Sequence, residues 1–124
     1  MGFLGRLFSR DEADIALRDF DSSAARADID ALIDALNQLA DAMDHDDAPL
    51  ENPGWRGRMR DLRNASGSLR LLIRRPQFDK DELYEILTTV RPLYRGEPPR
   101  DFAHLAEFNT EVVARIEAVH RSAN

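Results

Sequence analysis

Between residues 29 and 43, Ile29, Leu32, Ile33, Leu36, Leu39, Ala40 and Met43 recur at three- and four-residue intervals. That spacing places them on one side of an α-helix, and a strand, whose side chains alternate with a period of two, would scatter them over both faces. The same periodicity recurs through most of the chain. Trp55, Met59, Leu62, Ser66, Leu69 and Ile73 step by four and three up to Pro76, which ends the run. Leu83, Ile86, Leu87, Val90 and Tyr94 form a third apolar face, and Phe102, Leu105, Phe108, Val112, Ile116 and Val119 a fourth. No segment alternates as a half-buried strand would, so the fold class is all-α.

Helix starts and stops sharpen this reading. Ser9 to Glu12 and Asp79 to Glu82 have capping-box spacing, with Phe78 and Leu83 placed as a hydrophobic staple around the second. Proline and glycine in "HDDAPLENPG" (45–54) and "RGEPPRD" (95–101) mark loops. The spacing predicts helices near 11–20, 23–45, 55–75, 80–94 and 101–121, with Asp101 capping the last and Pro92 able to kink or end the fourth. Long helices of similar length joined by short loops predict an antiparallel up-down four-helix bundle. The short 11–20 helix is expected to pack across one end. The chain divides into an apolar N-terminal arm, residues 1–10, and a single helical-bundle domain, residues 11–124. A chain of 124 residues can bury a core without staples, and it has no cysteine, which excludes disulfides and thiolate metal sites.

Charge is distributed in blocks. Residues 1–51 hold four arginines against thirteen acidic residues, while residues 52–75 hold seven arginines and Asp61 alone, in a chain of net charge −6. On the flank of the 55–75 helix the order is Arg56, Arg60, Arg63, Gly67, Arg70, Arg74; on the flank of the 23–45 helix it is Asp30, Asp34, Asn37, Asp41, Asp44. An antiparallel hairpin sets Asp30 against Arg74, Asp34 against Arg70, Asp41 against Arg63 and Asp44 against Arg60, with Asn37 opposite Gly67. An exposed pair contributes about 0.2–1 kcal/mol, so such a seam specifies register more than stability. Gly67, beside Ala65, Ser66 and Ser68, suggests close helix approach, with Asn109 bonded near Ser66. Arg58 and Arg75 fall off the stripe and are candidates for contact with a partner. Nucleic acid is disfavoured as that partner, because the domain is acidic and no aromatic residues interleave with the arginines.

Residues that could do chemistry are sparse. His45, His104 and His120 do not cluster, and "DHDD" (44–47) reads as a solvated acidic loop rather than a metal site. The sequence assigns no metal, no cofactor and no catalytic residue. Arg115 and His120, in "RIEAVH", have the Arg-x4-His spacing that resembles the motif of HEPN-type ribonucleases, in which the two residues act together on an RNA backbone. That family usually has a polar residue after the arginine; here it is Ile116. The opening "MGFLGRLFSR" is similar to the amphipathic openings of bacterial envelope-stress proteins.

Three functions follow as expectations. The first is a non-catalytic interaction or regulatory module that binds a protein partner, a basic one if the acidic N-terminal half is the contact. Phe3, Leu4, Leu7, Phe8, Asp11, Glu12 and Asp14 would join Arg58 and Arg75 in that contact. The second is a membrane-peripheral regulator that uses residues 3–8 on a lipid surface. The third is the ribonuclease. Leu71, Leu72 and Phe108 are apolar enough to serve a homo-oligomer instead of the core. With no apolar run of about 18 residues and no signal-peptide pattern, the expected setting is the cytoplasm, and the preference for Arg over Lys suggests a bacterial source.

Overall fold

The computed structural model describes residues 22–45 and 54–123. The N-terminal arm, the 11–20 helix and the candidate residues Phe3, Leu4, Leu7, Phe8, Asp11, Glu12 and Asp14 lie outside the described residues. Those described form four α-helices and one 3-10 helix, with no strand among them: α1 (Ser22–His45), α2 (Trp55–Arg74), α3 (Lys80–Leu87), the 3-10 helix (Arg100–Leu105) and α4 (Ala106–Ala123).

α1 lies between α2 and α4 and packs extensively on both. Its predicted apolar face is buried in full, from Ile29 through Met43. It runs antiparallel to α2. At one end the Trp55 indole N–H donates to the Met43 carbonyl at 3.3 Å; at the other, Arg26 donates to the carbonyls of Ile73, Arg75 (2.9 Å) and Pro76 (3.2 Å). α4 is also antiparallel to α1: Ser122 donates to the Asp28 carboxylate, and Phe102, just ahead of α4, stacks on Trp55 at 5.5 Å.

Arg26 solves a local problem at the end of α2. A helix leaves its last carbonyls without intrahelical donors, and Arg75, in extended conformation before Pro76, cannot continue the helix. One guanidinium reaches across from α1 to the Ile73 carbonyl in the last turn and to the Arg75 and Pro76 carbonyls just beyond it, while lying over the Phe78 ring at 5.4 Å.

α3 opens with the expected capping box. Glu82 N–H donates to Asp79 Oδ1 at 2.8 Å, and the Asp79 N–H donates to Glu82 Oε1 at 3.2 Å. Phe78 and Leu83 are both buried, as a staple requires. The helix ends at Leu87, seven residues before the predicted limit at Tyr94. Thr88 and Thr89 turn their hydroxyls back onto the Glu85 and Ile86 carbonyls at 2.6 and 2.7 Å, which competes with continuation of the helix. Arg91 then precedes Pro92, a position biased toward extended backbone.

Val90, Pro92 and Leu93 are nevertheless buried. The chain replaces the second half of a helix with a turn and an irregular segment, and Asn109 of α4 holds it there. Its Oδ1 accepts from Leu93 N–H at 2.7 Å, and its amide donates to the Tyr94 carbonyl at 3.1 Å. Asn109 therefore tethers the 93–94 backbone instead of bonding near Ser66. The last helical region also begins differently from expectation, as a 3-10 turn at Arg100 with no side-chain cap.

Candidate functional site

The outward surface of α2 is the most distinctive feature of the described residues. Its apolar face, Trp55, Leu62, Ala65, Ser66, Leu69 and Leu72, is buried. Arg56, Arg60, Arg63, Gly67, Arg70 and Arg74 form an exposed row on the α1 side of its outer surface.

Of the four charge pairs predicted between α1 and α2, one forms. Arg63 Nη2 lies 3.0 Å from Asp41 Oδ1, and 4.0 Å from Asp44 Oδ2. Asp30, Asp34, Arg60, Arg70 and Arg74 make no ion pair within 4.0 Å among the described residues. The antiparallel hairpin is thus set by the apolar seam and by the end contacts of Trp55 and Arg26. Flexible exposed side chains gain too little from pairing to be held together against solvent.

Gly67 also departs from expectation. A Cβ built on it meets no atom within 4 Å, so no helix approaches closely there. Glycine costs about 1 kcal/mol against alanine inside a helix, and no contact among the described residues accounts for its use. On the same outer surface Leu71 is 63% exposed.

The other side of α2 faces a cleft. Between α2 and residues 88–93 lies a space of about 900 Å³ whose walls include Arg58, Asp61, Asn64, Ser68, Thr88 and Arg91. A second hollow of about 500 Å³, toward α3, is lined by Leu71, Leu72, Arg75, Glu82, Glu85 and Ile86 among others. Ser68 and Thr89 border both.

Arg58 and Arg75 sit on these walls and also serve the chain itself. Arg58 donates to the Leu93 carbonyl at 2.8 Å, fixing the non-helical segment from the α2 side. Arg75 forms a two-pronged pair with Glu82, one arm at 3.1 Å. The Arg75 hydrogen bond, helped by the Asp79 N–H, holds the Glu82 carboxyl below its ordinary range, and the same pair raises Arg75 above its own.

Arg115 donates to Glu111 Oε2 at 2.8 Å, one turn back on α4, and His120 stacks on Tyr84 of α3 at 5.7 Å. His104 stacks on Trp55 at 6.2 Å, at the opposite end of the molecule from His120. His45 Nδ1 donates to the Asp41 carbonyl at 2.8 Å. No three His, Cys, Asp or Glu side chains gather in metal-binding geometry among the described residues. No described helix is long and apolar enough to cross a membrane.

Sequence reasoning did not find Arg26 as the cap of α2, Asn109 as the tether of residues 93–94, or the cleft beside them. The Thr88-Thr89 pair just before Arg91-Pro92 was the available signal for the last two. Arg26 had none, because its carbonyl partners are 47 to 50 residues away.

No protein-family model, curated protein or solved structure significantly matches this chain.

Proposed function

We propose that the chain is a non-catalytic interaction module, in which a helical scaffold presents the outer surface of α2 to a protein partner. One observation carries the reading: Arg56, Arg60, Arg70 and Arg74 stand exposed along one side of α2 with no carboxylate partner among the described residues. They flank a glycine that no contact among the described residues requires. Desolvated arginine is a strong contributor at protein interfaces, and a basic row complements an acidic partner surface. The sequence argument for a basic partner rests on the acidic N-terminal half, which lies mostly outside the described residues. The α2 surface favours a partner of the opposite sign.

The scaffold in this reading is an antiparallel up-down bundle whose fourth corner is shared by α3 and the non-helical segment after it, and its setting is the cytoplasm. The membrane-peripheral alternative rests on residues 3–8, outside the described residues. No observation favours the ribonuclease, since the Arg115 guanidinium is engaged by Glu111 and His120 by Tyr84.

The test is affinity capture from source cells with two folded baits, the parent chain and the Arg70→Glu/Arg74→Glu variant. A partner held by the parent and released by the variant is expected. Equal recovery by both baits, or recovery of nothing by the parent, overturns the reading.

A further inference from the structure

Arg56, Arg60, Arg63, Gly67, Arg70 and Arg74 step by four and three along α2, and Asp30, Asp34, Asn37, Asp41 and Asp44 do the same along α1. Steps averaging 3.5 residues keep a stripe nearly straight along a helix. The two stripes lie side by side on one surface, because the Arg63–Asp41 bond at 3.0 Å joins them across the groove between the helices. With the helices antiparallel, Asp30 and Asp34 lie toward the Arg70–Arg74 end of the arginine row and Asp44 toward its Arg56–Arg60 end. Yet among the described residues none of these outer carboxylates and guanidinium groups forms an ion pair except at Arg63.

The geometry points to a second copy of this chain as the partner of this surface, docked about a two-fold axis parallel to α1 and α2. The inference rests on the α2 surface being an interaction face. A two-fold in that direction lays α1 of each copy over α2 of the other and preserves every level. The Asp30–Asp34 end of one copy's acidic row then meets the Arg70–Arg74 end of the other's arginine row, its Asp44 end meets the Arg56–Arg60 end, and the Arg63–Asp41 pairs of both copies come together as alternating charges. A two-fold across the helices would instead set α1 on α1 and α2 on α2, like charge against like. The surface is thus self-complementary in one orientation, as an isologous dimer interface requires.

Gly67 fits the same arrangement. It sits at the middle of the arginine row with open space where a Cβ would be, so the facing copy can approach the α2 backbone most closely there. A nucleic-acid strand is a poorer occupant, since the aspartate row beside the arginines repels phosphate. An unrelated acidic protein would need the same spacing and the same gap, which this chain already carries.

Analytical ultracentrifugation of three folded proteins tests the proposal: the parent, Arg70→Glu/Arg74→Glu, and Asp30→Arg/Asp34→Arg. None of these four positions makes an ion pair among the described residues, so circular dichroism is expected to be unchanged. The parent should sediment as a dimer and each variant as a monomer. An equimolar mixture of the variants should regain a one-to-one dimer, because at the altered end of the rows one copy is then wholly acidic and the other wholly basic, while the other end is unchanged. A monomeric parent at high micromolar concentration, or variants that dimerise as well alone as when mixed, overturns the proposal. If the parent is a monomer while Arg70→Glu/Arg74→Glu still releases a captured partner, the interaction face stands and only its assignment to a second copy falls.

Discussion

Along its middle α1 exposes little more than Asp30, Asp34, Gln38 and Asp41, whereas α2 leaves Arg56, Arg60, Arg63, Asn64, Gly67, Ser68, Arg70 and Leu71 open to solvent. The two helices are neighbours of similar length, and both carry a continuous apolar face. The difference comes from position: α1 is covered on two sides, by α2 and by α4, while α2 is covered by α1 and in part by short α3. A helix in the middle of a stack is committed to packing, and its side chains answer to volume. A helix at the edge can hold residues chosen for something else, including a glycine that weakens it and an apolar side chain in water.

The sharpest test of that contrast is a matched truncation. Leu36 of α1 is fully buried, and Leu36→Ala should cost about 2–5 kcal/mol; the same change at Leu71 of α2 should stay within about 0.5 kcal/mol. Denaturant unfolding of both variants checks this, and similar losses would erase the distinction. Next in size is Asn109→Ala, which leaves the buried Leu93 N–H without its acceptor. A loss of about 1–3 kcal/mol is expected, with faster hydrogen exchange at residues 90–94 than in α1. Gly67→Ala should act in the opposite direction, stabilising the monomer by about 1 kcal/mol while weakening self-association in ultracentrifugation. Destabilisation would mean that α2 needs its glycine for its own fold.

The smallest effect concerns acid. The Glu82 carboxyl is depressed when folded, mainly by its hydrogen bond from Arg75. Its stabilising contribution is therefore present above the ordinary carboxylate pKa of about 4.3 and lost as pH falls below that toward the folded value. Glu82→Gln should flatten the stability profile in that window and leave it unchanged at neutral pH apart from a small constant offset. A parent and variant with parallel profiles would remove Glu82 from the acid response.

The helical class, the loops, the capping box at Asp79 and the apolar faces of α1 and α2 were legible in the sequence because each is written in spacing. What lay hidden depends on distance. Nothing near Arg26 announces that it caps a helix end some fifty residues on, and nothing near Asn109 announces the 93–94 backbone. The charge seam shows the converse limit. Complementary spacing between Asp30–Asp44 and Arg60–Arg74 was visible, but spacing alone does not say whether such rows meet within one chain or across two. Gly67 was misread for a related reason, since small neighbours resemble a close-packing site whether or not a helix arrives.

The placement of α1 between α2 and α4 has a consequence for biosynthesis. When the ribosome has released the α1–α2 pair, the side of α1 that α4 will cover is still bare, and that cover is made only with Ala106–Ala123, which follows the end of α2 at Arg74 after a further 31 residues. The half-made protein must carry an oily strip through this interval, and any early stop between α2 and α4 would leave that strip as the part a chaperone or protease meets first.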